Sequence, residues 1–80
     1  MRTLREVRAE RLMTMRDLAT RAGLSLSSVY MVENGRTIPR LPAVRKLAAA
    51  LGIDPGEVEE LRRAMDVAAH GRGEGGKEAA

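Results

Sequence analysis

The sequence predicts an all-α fold, a compact five-helix bundle, on three observations. Tyr30 is the single aromatic residue among 80, so the core has to be built from Leu, Val, Ile, Ala and Met, a palette that favours helices over sheets. Apolar residues recur at intervals of three and four through most of the chain, as they do on one face of a helix. Ser, Thr or Asp stands before these periodic segments and Gly after them, which is how helices start and stop. A chain of this length makes one domain whose core stabilises only modestly, so oligomerisation would help it.

The first helix is expected over about residues 3 to 12, burying Leu4, Val7 and Leu12. Thr14 caps a second helix over about 15 to 22, in which Leu18, Ala19 and Ala22 share a face while Arg16, Asp17, Thr20 and Arg21 point elsewhere. Gly23 ends it in the left-handed conformation, and Ala19 is small enough to let another helix cross closely. Leu24 plugs the turn. Ser25 caps a third helix over about 26 to 34, with Val29, Val32 and part of Glu33 inward, stopped by Asn34 and Gly35. Two short helices joined by a Gly-centred turn have the layout of a helix-turn-helix. Pro39 and Pro42 bracket the start of a fourth helix over about 41 to 51, whose buried stripe is Val44, Leu47, Ala48 and Leu51. Gly52 stops it and Ile53 packs. Asp54, Pro55 and Glu57 then write a new start signal for a fifth helix carrying Val58, Leu61, Met65 and Ala68.

Leu18, Ala19, Gly23, Leu24, Ser25, Val29, Glu33, Asn34, Gly35 and Pro39 stand in a register that resembles the XRE-type helix-turn-helix domain of Cro and lambdoid repressors, over residues 3 to about 58. The resemblance implies a lambda repressor-like domain, which with the C-terminal helix is expected over residues 1–70; the tail over 71–80, with four Gly and no large apolar residue, is expected to be disordered on its composition. The resemblance also implies that the third helix lies in the major groove of double-stranded DNA, with the second crossing the backbone. Carried over, the base-facing positions are Leu26, Ser27, Tyr30 and Met31, and the phosphate-facing ones are Thr14, Met15, Ser28, Asn34, Arg36, Thr37 and Arg40. Relatives often place Gln, Arg or Lys on the base-facing side; this chain has none there, and Leu26 and Met31 can contact only thymine methyl groups or sugar carbons. Where many relatives have Gln, Met15 leaves only its backbone N–H at a helix N-terminus.

Glu33 faces inward, and a buried carboxylate is costly unless paired. Arg8 on the first helix is the expected partner, since the family commonly ties these helices through such a pair. A catalytic role for Glu33 has no second acid, nucleophile or metal ligand to support it, so no enzyme is expected. The chain has no Cys and one His, so no disulfide, metal site or cofactor is expected. With no apolar run of the ~20 residues a bilayer demands and no signal-peptide stretch, a cytoplasmic location away from membranes is expected.

Charge divides along the chain. Residues 1–55 hold ten Arg or Lys against five acids, a net of +5, whereas residues 56–80 hold four against six, a net of −2. The positive field thus coincides with the segment that resembles a DNA reader. Val58, Leu61 and Met65 form a stripe that serves either as a homodimer seam or as a lid on the domain's own core. A homodimer would set two reading helices about one DNA turn apart on a two-fold symmetric operator. The expected function is therefore a sequence-specific transcriptional regulator, a repressor in the simplest case. The competing expectation is the same fold used as a protein-interaction module, such as an antitoxin or a polymerase adaptor, which the apolar Leu26, Tyr30 and Met31 favour.

Overall fold

Four of the helix ends in the computed structural model, which describes residues 1–71, are built by one kind of chain reversal, and these reversals set the architecture. The elements are α1 (Leu4–Glu10), α2 (Met15–Ala22), α3 (Leu26–Glu33), α4 (Leu41–Leu51) and α5 (Glu59–Asp66), with a 3₁₀ turn at Pro55–Glu57 before α5 and a π turn at Val67–Gly71 after it. No strand occurs among the described residues. The tail expected from residue 71 onward lies, past Gly71 itself, outside the described residues.

Side-chain caps start the first three helices. Thr3 Oγ1 accepts the Glu6 N–H at 3.1 Å while the Glu6 carboxylate accepts the Thr3 N–H at 2.9 Å, and Thr14 and Asp17 repeat the exchange at 3.0 and 2.9 Å. Ser25 Oγ accepts the Ser28 N–H at 3.0 Å. At the C-termini, the Gly23 N–H reaches Thr20 O and the Leu24 N–H reaches Ala19 O, the paired bonds of a Schellman motif, with Gly23 at φ 71°. Gly35 and Gly52 close α3 and α4 the same way.

The end of α1 departs from expectation. The helix stops at Glu10, the Leu12 N–H bonds to Ala9 O and the Met13 N–H to Arg8 O, and Leu12 itself occupies the left-handed position at φ 58°. Its side chain is 91% exposed, so the expected burial of Leu12 is wrong. The motif turns this position outward and brings the next residue, Met13, against the core in its place.

The start of α5 also departs. Asp54 caps as expected, accepting the Gly56 N–H at 2.8 Å, but it opens only a 3₁₀ turn. Val58 leaves helical geometry (φ −116°, ψ 124°) and bridges in parallel to Arg2, and the Glu59 N–H then donates to Arg2 O at 2.8 Å. Pairing with the N-terminal segment thus defers α5 by one turn. Val58 and Leu61 are both fully buried in the domain's own core, which corrects their assignment to a seam between copies; Met65 is partly buried and Val67 exposed.

Leu4, Leu18, Leu47 and Leu61, from four different helices, join Val7, Val29 and Val58 at the fully buried centre. The Glu33 side chain is also fully buried. Arg8 Nε and Nη2 donate to its two carboxylate oxygens at 2.5 and 3.0 Å, and Arg8 Nη1 donates to Met13 O at 2.9 Å. Hydrogen bonding to Glu33 pushes the Arg8 pKa above its ordinary value, so the guanidinium stays charged.

Two substitutions test this packing. Leu12→Gly should raise stability by about 1 kcal/mol in urea unfolding, because a left-handed L-residue is strained and this side chain packs on nothing; a lower unfolding midpoint would show that the strain is not there. Glu33→Ala should cost about 3–5 kcal/mol by stranding the Arg8 charge, whereas the double replacement Arg8→Met with Glu33→Leu should recover most of that loss.

Candidate nucleic-acid interface

The inward face of α3 decides what its outward face presents. Val29 and Val32 are buried against α2 and the core, which at 3.6 residues per turn leaves Leu26, Ser27, Tyr30 and Met31 as the outward arc. Leu26 is 39% and Tyr30 46% exposed, Ser27 is exposed, and Met31 is half-buried. Leu26 and Tyr30 sit one turn apart, as do Ser27 and Met31.

Around this arc the structure sets hydrogen-bond donors. Thr14 Oγ1 accepts the Asp17 N–H to cap α2, and the first N–H groups of α2 have no acceptor within the helix. The Met15 side chain packs against the core, so at that position the backbone N–H is what faces out. Ser28 Oγ accepts from Ser25 Oγ at 2.9 Å and retains its own proton. Asn34 donates its Nδ2 to Tyr30 O at 2.8 Å, which commits one of its two amide protons to the end of α3. Arg36, Thr37 and Arg40 are exposed on the loop between α3 and α4, and neither arginine meets an acid among the described residues.

These positions do not all converge. Ser27, Ser28, Met31, Thr37 and Arg40 line one open groove of ≈ 340 Å³ together with Leu24, Ile38 and Pro39. Leu26, Tyr30, Asn34 and Arg36 lie outside that lining, and Thr14 and Met15 belong to the start of α2. Sequence reasoning missed Ile38, which is 47% exposed and lines this groove and a second one on the side of Glu59, Glu60 and Arg63. The available signal was an isolated aliphatic residue between two arginines in an otherwise polar loop. Acids of α5 border this side of the site: Glu59 and Glu60 line the second groove with Asn34 and Thr37, Glu60 also accepts the Leu4 N–H at 2.7 Å, and Glu57 lies 4.0 Å from Arg2. Among the described residues no group of three or more His, Cys, Asp or Glu converges where a metal ion would sit, and no helix is long and apolar enough to cross a membrane.

Two short helices crossed over a left-handed Gly23 turn, with the second presenting an outward arc, make a helix-turn-helix protein. A protein-family model described as helix-turn-helix matches residues 4–58, from the first residue of α1 to the residue that caps α5. The chain belongs to the XRE-type helix-turn-helix family. It is 38% identical over 69 residues to the HTH-type transcriptional repressor RghR of Bacillus subtilis (strain 168); the match takes in 76% of this chain and 51% of that protein, so the chain spans about half the length of this relative. No solved structure matches the chain at a significant level.

The Thr14–Asp17 cap generates a pH dependence. Hydrogen bonding to Thr14, to its backbone N–H first and its side chain second, holds the Asp17 carboxyl below its ordinary value, with Arg21 adding to the effect. A carboxyl depressed by folding stabilises the fold above its unfolded pKa, about 3.9, and that contribution is lost as pH falls through the lower folded value. Unfolding midpoints measured from pH 7 down to acid should therefore fall less steeply below about pH 4 in Asp17→Asn than in the wild type. Parallel curves would remove Asp17 from the acid response.

Proposed function

We propose that this chain is a DNA-binding transcriptional regulator, a repressor that seats α3 in the major groove and acts as a dimer on a two-fold symmetric operator. The observation that carries the proposal is the outward arc of α3 beside the loop that follows it: Ser27 and Met31 share a groove with Thr37 and Arg40, and neither Arg36 nor Arg40 meets an acid among the described residues. Membership of the helix-turn-helix family and the likeness to a transcriptional repressor support it. Leu26, Ser27, Tyr30 and Met31 face the bases. Thr14, the Met15 N–H, Ser28, Asn34, Arg36, Thr37 and Arg40 contact phosphates, fixing register without reading sequence. Affinity comes chiefly from phosphate neutralisation and counterion release by a segment whose net charge is +5. The protein acts by occupying DNA and performs no chemistry on it. With Val58 and Leu61 inside the core, the second copy meets Met65 and Val67 at the end of α5. A two-fold arrangement there joins two weak half-sites into one tight site.

A second reading, a protein-interaction module of the antitoxin or polymerase-adaptor kind, is favoured by one observation: Leu26, Tyr30 and Ile38 are all exposed apolar residues on or beside the arc.

Selection of bound sites from a random duplex library separates the two. The expected result is a two-fold symmetric motif with half-sites ~10 base pairs apart, bound by a dimer in sedimentation. Arg36→Ala should weaken all sites alike and reduce the slope of log affinity against log salt by about one. No enriched motif, with binding that merely falls with salt, would favour the protein-interaction module.

A further inference from the structure

We infer that α3 selects its site through the C5-methyl groups of thymine, with Leu26, Tyr30 and Met31 as the specificity-determining stripe. The inference rests on the DNA-binding reading above and adds what that reading leaves open, the chemistry by which bases are told apart.

The outward arc carries no Arg, Lys, Gln or Asn, the side chains that make paired hydrogen bonds to one base. The nearest amide, Asn34, sits past the C-terminus of α3 and has one proton committed to Tyr30 O. The arc does carry hydroxyl groups on Ser27 and Tyr30 and apolar surface on Leu26, Tyr30 and Met31. A serine hydroxyl both donates and accepts, and so accepts every base nearly equally. The apolar surface does not. Among the four unmodified base pairs, the thymine methyl is the apolar group on the floor of the major groove. Opposite a G·C pair the same leucine or methionine would cover polar base atoms, stripping them of water with no partner in return.

Position and rigidity favour this readout. Leu26 is the first residue of α3, at the end of a reading helix that meets base edges. Its turn is pinned by the Ser25 cap on the Ser28 N–H and by the Ser25–Ser28 hydroxyl bond, and the opposite face is locked by buried Val29 and Val32. The occupant is DNA on grounds of charge: from Asn34 to Ile53 the chain has no acid and four exposed cations, Arg36, Arg40, Arg45 and Lys46.

The test uses the 80-residue chain and duplexes made with thymine or with uracil, which keeps every hydrogen-bonding group and lacks only the methyl. Selection from the thymine library should converge on half-sites containing thymines, and resynthesis of the winners with uracil should weaken binding about fourfold for each methyl contacted, the factor expected for burying one such carbon. In Leu26→Ala, whose helical circular dichroism should match the wild type, uracil substitution at the position facing residue 26 should cost nothing. Equal affinity of the wild type for thymine and uracil winners, or a selected motif without thymine, overturns the inference while leaving DNA binding intact. Absence of binding to either library overturns both.

Discussion

Glu33 lies at the last turn of α3 with its carboxylate out of reach of water, and that charge is tolerable only because Arg8 of α1 meets it with two N–H groups. Arg8 uses its third nitrogen on Met13 O, in the segment that turns α1 into α2. One guanidinium therefore fixes the end of α3, the path into α2 and its own helix relative to each other. Arg5, 3.8 Å from Glu33 and mostly exposed, adds a weaker charge from the solvent side. Because an Arg fork fits a carboxylate in one plane, a sliding or rotation of α3 that hydrophobic contacts alone would tolerate breaks hydrogen bonds here. The orientation of the outward arc is set by that constraint.

The elements legible in the sequence are those whose signal is local. Thr14, Ser25, Gly23 and Gly52 each act within a few residues of themselves, and α2 and α4 have the expected bounds. The reversal after α1 was hidden because Leu12 fills a position where Gly is the usual cue, although Met13, Leu24 and Ile53 play the same apolar role after three of the four reversals. The delay of α5 was hidden for a different reason. Asp54 and Pro55 give a correct start signal, but Val58 is claimed by Arg2, whose pairing no local pattern reveals.

The candidate site divides in the same way. Once Val29 and Val32 are inside, helical geometry alone settles which residues of α3 face out, so the arc could be read directly. The groove beside it could not, since it depends on how the loop carrying Thr37, Ile38 and Arg40 folds back against Met31 and Ser27. Likewise, periodicity put Val58 and Leu61 on the same stripe as Met65. It could not say that the core ends between them, with the first two wholly enclosed.

On the proposed reading, affinity and specificity sit on different elements. The cations of the α3–α4 loop and the start of α2 attract any duplex and lose strength together as salt rises. Specificity is left to a stripe whose apolar contacts each discriminate only about fourfold, against roughly 5- to 150-fold for a bidentate side chain on a purine. A single α3 with such contacts cannot find one site among the many a genome offers. Two copies double the free energy of discrimination, because a duplex matching one half only still holds the second copy by charge alone. The polar poverty of α3 is thus itself an argument that the reading unit is larger than one chain.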